Sequence, residues 1–243
     1  MKKSKIFLTL ASAVLLVAAS VMGTLAYLTS TQEVKNTFTV GQVKITLDEA
    51  KVGDDGKVLT GENAQRVAEN SYHLLPGHKY DKDPTITVLS GSDEAYVRML
   101  VTVTFGKKLE DSTLATSLDN IFTGYNKKNW NRVEKVVTSE NNEQHTVITY
   151  EYRYNTTVEG KVEDSSDENK MVDGDNKLPA LFTGISVPSE WGNDMMEAIG
   201  GFPIDVVGQA IQADGFDNAD AAWQAFNNQK NPTSTETTPS TEA

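Results

Sequence analysis

The sequence predicts a mainly β protein, an antiparallel β-sandwich of the jelly-roll kind with short helical insertions, and three observations carry this. From Ala95 to Phe105, Val97, Met99, Val101, Val103 and Phe105 share one parity, while Tyr96, Arg98, Thr102 and Thr104 share the other; Leu100 is the one apolar exception. From His145 to Tyr154, Ile148, Tyr150, Tyr152 and Tyr154 alternate with Thr149, Glu151 and Arg153. Period-two alternation with one apolar and one polar face describes an antiparallel strand half covered by a core. Third, apolar stripes at helical spacing are few and short, which makes helices insertions on a β framework.

At the N-terminus, Lys2, Lys3 and Lys5 precede an apolar run from Ile6 to Met22, broken only by Thr9, Ser12 and Ser20. A basic head followed by such a run is an export signal, and the run falls short of the roughly 18 uninterrupted apolar residues of a membrane-spanning helix. In Gly23-Thr24-Leu25-Ala26, Thr24 and Ala26 occupy the two positions that a signal peptidase reads. Residues 1–26 are therefore expected to be removed and the mature chain to start at Tyr27. Leu178-Pro179-Ala180-Leu181-Phe182 is followed by neither an apolar span nor a basic tail, so no sortase anchoring is expected.

After the cleavage site, Leu28, Val34, Phe38 and Val40 share one parity, with Ser30, Gln32 and Asn36 between them. Val43, Ile45 and Leu47 fall on the opposite parity, and Gly41 between the two sets is expected to form a turn or bulge. Loops are expected over 50–70 and 155–178, which are long and acidic. Leu181 to Val187 and Phe202 to Ile211 are two further candidate strands. Leu114, Leu118, Ile121 and Phe122 make a helical stripe after Asp111 and Ser112, ending at Gly124. A second helix is expected after Pro188-Ser189, carrying Trp191, Met195 and Ile199 up to Gly200-Gly201, and a third from about Asn218 to Phe226. One domain over 27–228 is expected, followed by a disordered Ser/Thr/Pro-rich tail over 229–243.

Removing the signal takes away three of 22 basic residues and none of 34 acidic ones, leaving 19 − 34 = −15. This charge argues against nucleic acid as a partner. The chain has no cysteine, which excludes a disulfide framework, a thiolate nucleophile and a Cys-ligated metal. Its three histidines, His73, His78 and His145, make no His-Glu-x-x-His pattern, and His73 and His78 flank a Pro76-Gly77 turn. No Gly-x-Ser-x-Gly elbow or phosphate loop is present. The acidic clusters Asp54-Asp55-Gly56, Asp164-Ser165-Ser166-Asp167 and Asp173-Gly174-Asp175 lack the ligand spacing of an EF-hand loop and are read as solvated loops. The aromatic face of Tyr150, Tyr152 and Tyr154 is read as core or cross-strand pairs in preference to a carbohydrate strip. No catalytic residue, metal ligand or cofactor is expected.

Specific segments carry a family resemblance. Gly23-Thr24-Leu25-Ala26-Tyr27-Leu28-Thr29, then Asn36-Thr37-Phe38-Thr39-Val40-Gly41 and Val43-Lys44-Ile45, resemble the TasA/camelysin family of exported Gram-positive proteins. Leu75-Pro76-Gly77-His78-Lys79-Tyr80-Asp81-Lys82-Asp83-Pro84, leading into a strand, does so too. The likeness covers residues 1–48 and 72–105 and is weaker elsewhere; Phe202 to Phe216 is similar to a terminal core strand of some relatives. The resemblance implies a signal peptide removed by a SipW-type signal peptidase, a jelly-roll fold, and a secreted subunit of extracellular biofilm-matrix fibres. The expected partners are then other copies of the chain and possible matrix proteins, with the membrane met only before cleavage. A donor strand built on Leu28, Val34, Phe38 and Val40 would join subunits head to tail, and the other reading of this segment is an ordinary strand in its own subunit. A surface adhesin or binding module is the alternative. The metallo-endopeptidase label borne by some members is discounted, since no ligand set supports it.

Overall fold

The computed structural model describes residues 29–33, 36–37, 43–105, 121–140, 145–192 and 204–230. Strands β1 (Thr29–Glu33) and β2 (Asn36–Thr37) precede β3 (Ile45–Ala50). After a 3-10 turn at Gly61–Asn63 come β4 (Arg66–Val67), β5 (Lys79–Asp81), β6 (Thr85–Val88) and the long β7 (Ala95–Phe105). Then follow β8 (Phe122–Thr123), β9 (Trp130–Glu140), β10 (His145–Tyr154), β11 (Lys161–Asp164) and β12 (Asp167–Asp173). Last are β13 (Asn176–Lys177), β14 (Gly184–Ser186), β15 (Ile204–Gln212) and helix α1 (Ala219–Lys230).

The main sheet runs β2-β1-β15-β7-β10-β9, and a four-stranded sheet runs β13-β6-β3-β4. A three-stranded sheet, β5-β14-β8, and the β11-β12 hairpin complete the set. Every described pairing between named strands is antiparallel. The mainly β, antiparallel class expected from the sequence is therefore present.

The core follows from the alternation. Val97, Met99, Val101 and Val103 of β7 face inward beside Ile148, Tyr150 and Tyr152 of β10, and all are buried. Val43, Ile45 and Leu47 face them from the other side with Ile86 and Val88 of β6. Gly208 of β15, which pairs with Met99, lies against Ile86 and Leu47 of the other sheet. A Cβ at Gly208 would stand 3.1 Å from Ile86 Cδ1 and 3.5 Å from Leu47 Cβ, so a side chain here would push the sheets apart. Phe122, Phe182 and Trp130 fill one end of this core, the two Phe rings 4.8 Å apart.

Several expectations are corrected. The stripe expected to be helical ends as strand: Phe122 pairs with Ile185, and Ile121 is buried just before it; Leu114 and Leu118 lie outside the described residues. At its described end, Phe122 and Thr123, the stripe gives edge pairing with β14 in place of a helical turn. The segment 155–178 is not a bare loop but carries the β11-β12 hairpin, in which Val162 pairs with Val172. Asp164 makes its turn by accepting hydrogen bonds from the N–H and hydroxyl of Ser166. Segment 50–70 likewise holds a Val52–Val58 bridge, the 3-10 turn and β4. Within 181–187 only Gly184–Ser186 is strand. Trp191 is buried after a Pro188 turn, not in a helical turn; the rest of that expected helix, and Gly41, lie outside the described residues. The third helix forms and extends to Lys230, so Gln229 and Lys230 belong to α1 and not to a tail. Asn218 caps it, its Oδ1 accepting the Ala221 N–H at 3.0 Å. Strand β9 was not expected. Its apolar Val133, Val136 and Val137 break parity, and it forms because β10 offers a ten-residue partner edge.

Candidate functional site

Sequence reasoning placed its site residues at the N-terminus. Thr24, Ala26, Tyr27, Leu28, Val34, Phe38 and Val40 all lie outside the described residues. The backbone between them is in place: β1 pairs with β15 of its own chain over five residues, Thr29 with Ile211 through Glu33 with Val207. Ser30 and Gln32 are in register with Ala210 and Gly208, the inward positions of β15. Within β1 the even parity meets β15 at core-facing positions, but the one-faced strand expected to run on to Val40 is corrected: β2 folds back on β1 with Thr37 opposite Gln32 and Asn36 opposite Glu33, which reverses the parity after Glu33. β1 continues the sheet past β15, and β2 turns back on it through Gln32 and Glu33.

A charged clasp lies on the opposite sheet. Arg66 of β4 donates from Nε to Asp48 Oδ1 (2.5 Å) and from Nη1 to Asp83 Oδ2 (2.8 Å), and from Nη2 to the carbonyls of Asp48 and Asp83. Burial would lower its pKa, but hydrogen bonds and charge from Asp83 and Asp48 outweigh this and raise it. Asp83 Oδ1 accepts the Ala50 N–H at 2.6 Å. Beside this fork, Lys82 Nζ meets Glu49 Oε2 at 2.6 Å, with both residues buried. Glu49 Oε1 accepts the Asn70 N–H at 2.9 Å, and the Tyr72 ring lies 5.4 Å from Lys82 Nζ. Burial, then the Glu49 charge, pushes the Tyr72 phenol well above its ordinary pKa, and its hydroxyl donates to the Asp81 carbonyl. Leu75-Pro76-Gly77-His78 forms the turn that brings Lys79–Pro84 back to this place: His78 N–H donates to the Leu75 carbonyl, with Gly77 at φ 76.

The outer face of the main sheet carries a second cluster under α1. Arg98, 3% exposed, donates from Nε to Gln209 Oε1 and from Nη2 to Asn227 Oδ1, each at 2.7 Å, and its Nη1 stands 3.3 Å from Glu151 Oε2. Its guanidinium lies 4.2 Å from the Trp223 ring. Burial lowers the Arg98 pKa, and Glu151 partly offsets this. Arg153 holds Glu151 Oε1 at 2.6 Å and reaches Asp220 of the helix. Trp223, Phe226 and Ala222 cover Ile211, while the Trp223 Nε1 hydrogen finds no acceptor among the described residues.

The remaining sequence candidates are structural. Tyr150 and Tyr152 are core, with Phe122 edge-on to Tyr150 at 5.8 Å. His73 and His78 are exposed on the loop and turn around Pro76-Gly77, and the His73 carbonyl accepts the Tyr80 hydroxyl. Asp55 and Asp175 accept the backbone N–H of Lys57 and Ser90. Among the described residues no group of three or more His, Asp or Glu side chains is placed to hold a metal ion. Sequence reasoning missed both charged clusters. Their signals were Asp81-Lys82-Asp83 just before a strand, and Arg98 opposite Glu151 and Arg153 on the polar parity of two strands. Comparison with protein-family models, curated proteins and solved structures finds no match to this chain.

Proposed function

We propose that the chain is an exported structural subunit of an extracellular matrix, of the TasA/camelysin kind, that assembles head to tail by exchanging its N-terminal strand. One observation carries this reading. The first strand after the expected cleavage site, Thr29–Glu33, fills a slot beside β15 and belongs to the very start of the mature chain. A slot filled in cis by a terminal strand is filled equally well in trans by the same strand of another copy, which is the logic of domain swapping. Where each copy gives its strand to one neighbour and takes one from another, the contact is head-to-tail and builds a filament when its rotation does not close into a ring. A signal peptide still attached would hold this strand at the membrane, so a SipW-type peptidase would release it. The surplus of acidic residues keeps subunits apart until such specific pairing forms.

Electron microscopy of the purified chain beginning at Tyr27 tests this. Fibres are expected, and a chain beginning at Val34 should stay folded by circular dichroism yet form none. Equal polymerisation of both chains refutes strand exchange; monomers in both refute the fibre reading.

A further inference from the structure

Of the lysine–carboxylate bridges among the described residues, those of Lys57, Lys161 and Lys170 have lysine side chains at least 41% exposed, whereas the Lys82 and Glu49 side chains are 8% and 5% exposed. A primary amine and a carboxyl group held at 2.6 Å away from water are the two halves of an amide. We propose that this pair is a modification site, at which Lys82 Nζ and Glu49 Cδ condense into an intramolecular isopeptide bond. The inference does not depend on the fibre reading.

The neighbours supply what the condensation needs. Asn70 N–H, 2.9 Å from Glu49 Oε1, polarises the carboxyl group and faces the oxygen on which negative charge collects. Lys82 is held from its backbone, its N–H donating to the Thr183 carbonyl, and Tyr72 covers its Nζ. The terminal torsion of a glutamate is broad, so rotation of the carboxyl group presents its carbon to the amine. The proton of the ammonium first passes to Oε2, leaving an amine and a carboxylic acid. The nitrogen lone pair attacks Cδ, and the tetrahedral oxyanion forms on Oε1 against the Asn70 N–H. Oε2 then departs as water with a second proton from nitrogen. One N–C bond forms, one C–O bond breaks, one water leaves, and nothing is oxidised or reduced. In bulk water such a condensation is opposed by the solvation of both ions. Here burial withdraws that solvation, and fixed proximity replaces a bimolecular encounter. The product ties β3 to the segment after β5 across 33 positions, in a chain without cysteine.

Mass spectrometry of the purified, folded chain reads this directly. The intact mass is expected to fall short of the sequence mass by one water, and proteolysis should release a branched peptide joining the Glu49 and Lys82 segments. Glu49→Ala and Lys82→Met should restore the full mass. Glu49→Gln should lose ammonia instead and end at the same mass as the cross-linked parent. The unaltered chain decides the matter even if a variant fails to fold. An unaltered chain at full sequence mass overturns the proposal, and so does a missing water that maps to an aspartyl-glycine step such as Asp55-Gly56.

Discussion

Replacing Arg98 with methionine tests the cluster beneath α1, and its cost can be worked out contact by contact. Gln209 is 3% exposed and its Oε1 faces Arg98 Nε, so the substitution strands a buried acceptor at about 1–3 kcal/mol. Asn227 is exposed, and water replaces its lost bond. Glu151 keeps Arg153 at 2.6 Å, so its charge is not orphaned, and only the 3.3 Å contact is lost, at about 1 kcal/mol. The stacked guanidinium is worth about 1–2 kcal/mol over Trp223, of which a thioether against the same ring recovers about half. The sum is about 2.5–5 kcal/mol, large for one substitution. Urea unfolding followed by tryptophan fluorescence and circular dichroism measures it as a shifted midpoint at constant slope. Asp220→Asn, at an 88% exposed partner of Arg153, should cost at most about 1 kcal/mol. Adding Gln209→Leu to Arg98→Met removes the stranded acceptor and should return about 1–2 kcal/mol. A single Arg98→Met cost below about 1 kcal/mol, or a double variant as costly as the two single changes added, refutes this reasoning.

N-terminal sequencing of material exported by a Gram-positive host should read from Tyr27, and a start displaced by more than about two residues counts against the site at Ala26. A chain beginning at Val34 keeps an open β15 edge but has no strand to give, so added in small amounts it should arrest growing fibres; unchanged fibre length would contradict exchange. Gly160→Ala should destabilise by at least about 2 kcal/mol in the same unfolding assay, because its Cβ would stand 2.0 Å from the Leu89 carbonyl oxygen and 2.7 Å from the Ser92 nitrogen. For Tyr72, a phenol pKa raised above the unfolded value stabilises the fold fully below about pH 10 and progressively less above it. Unfolding measured across that range should show a steeper alkaline loss in the unaltered chain than in Tyr72→Phe, and parallel profiles would remove Tyr72 as the cause.

The long strands were legible because burial on one face writes itself into parity. Val97 to Val103 and Ile148 to Tyr152 point inward as their alternation said, and Val43, Ile45 and Leu47 do the same. The terminal helix was legible from Asn218 and the spacing of Ala222, Trp223 and Phe226. Short or exposed strands were not. β8, β13 and β14 are two or three residues long, too few for a period to appear. In β9, residues 131–134 are all exposed, so no apolar face is selected there. The hairpin of β11 and β12 is disguised by acidic residues that solvate both its strands.

The sequence by itself determined the mainly β class, the cysteine-free chemistry and the inward faces of β3, β7 and β10, because each depends on residue type and near-neighbour spacing alone. Only the tertiary structure decided that Glu49 meets Lys82, that Arg98 lies under Trp223, and that Thr29–Glu33 pairs with β15. Those partners are 33, 125 and about 180 positions apart. Charged residues on a polar parity look alike in sequence whether they face water or one another. What separates them is which strand becomes the neighbour and which face a helix covers, and both are set by long-range sheet register, on which local periodicity is silent.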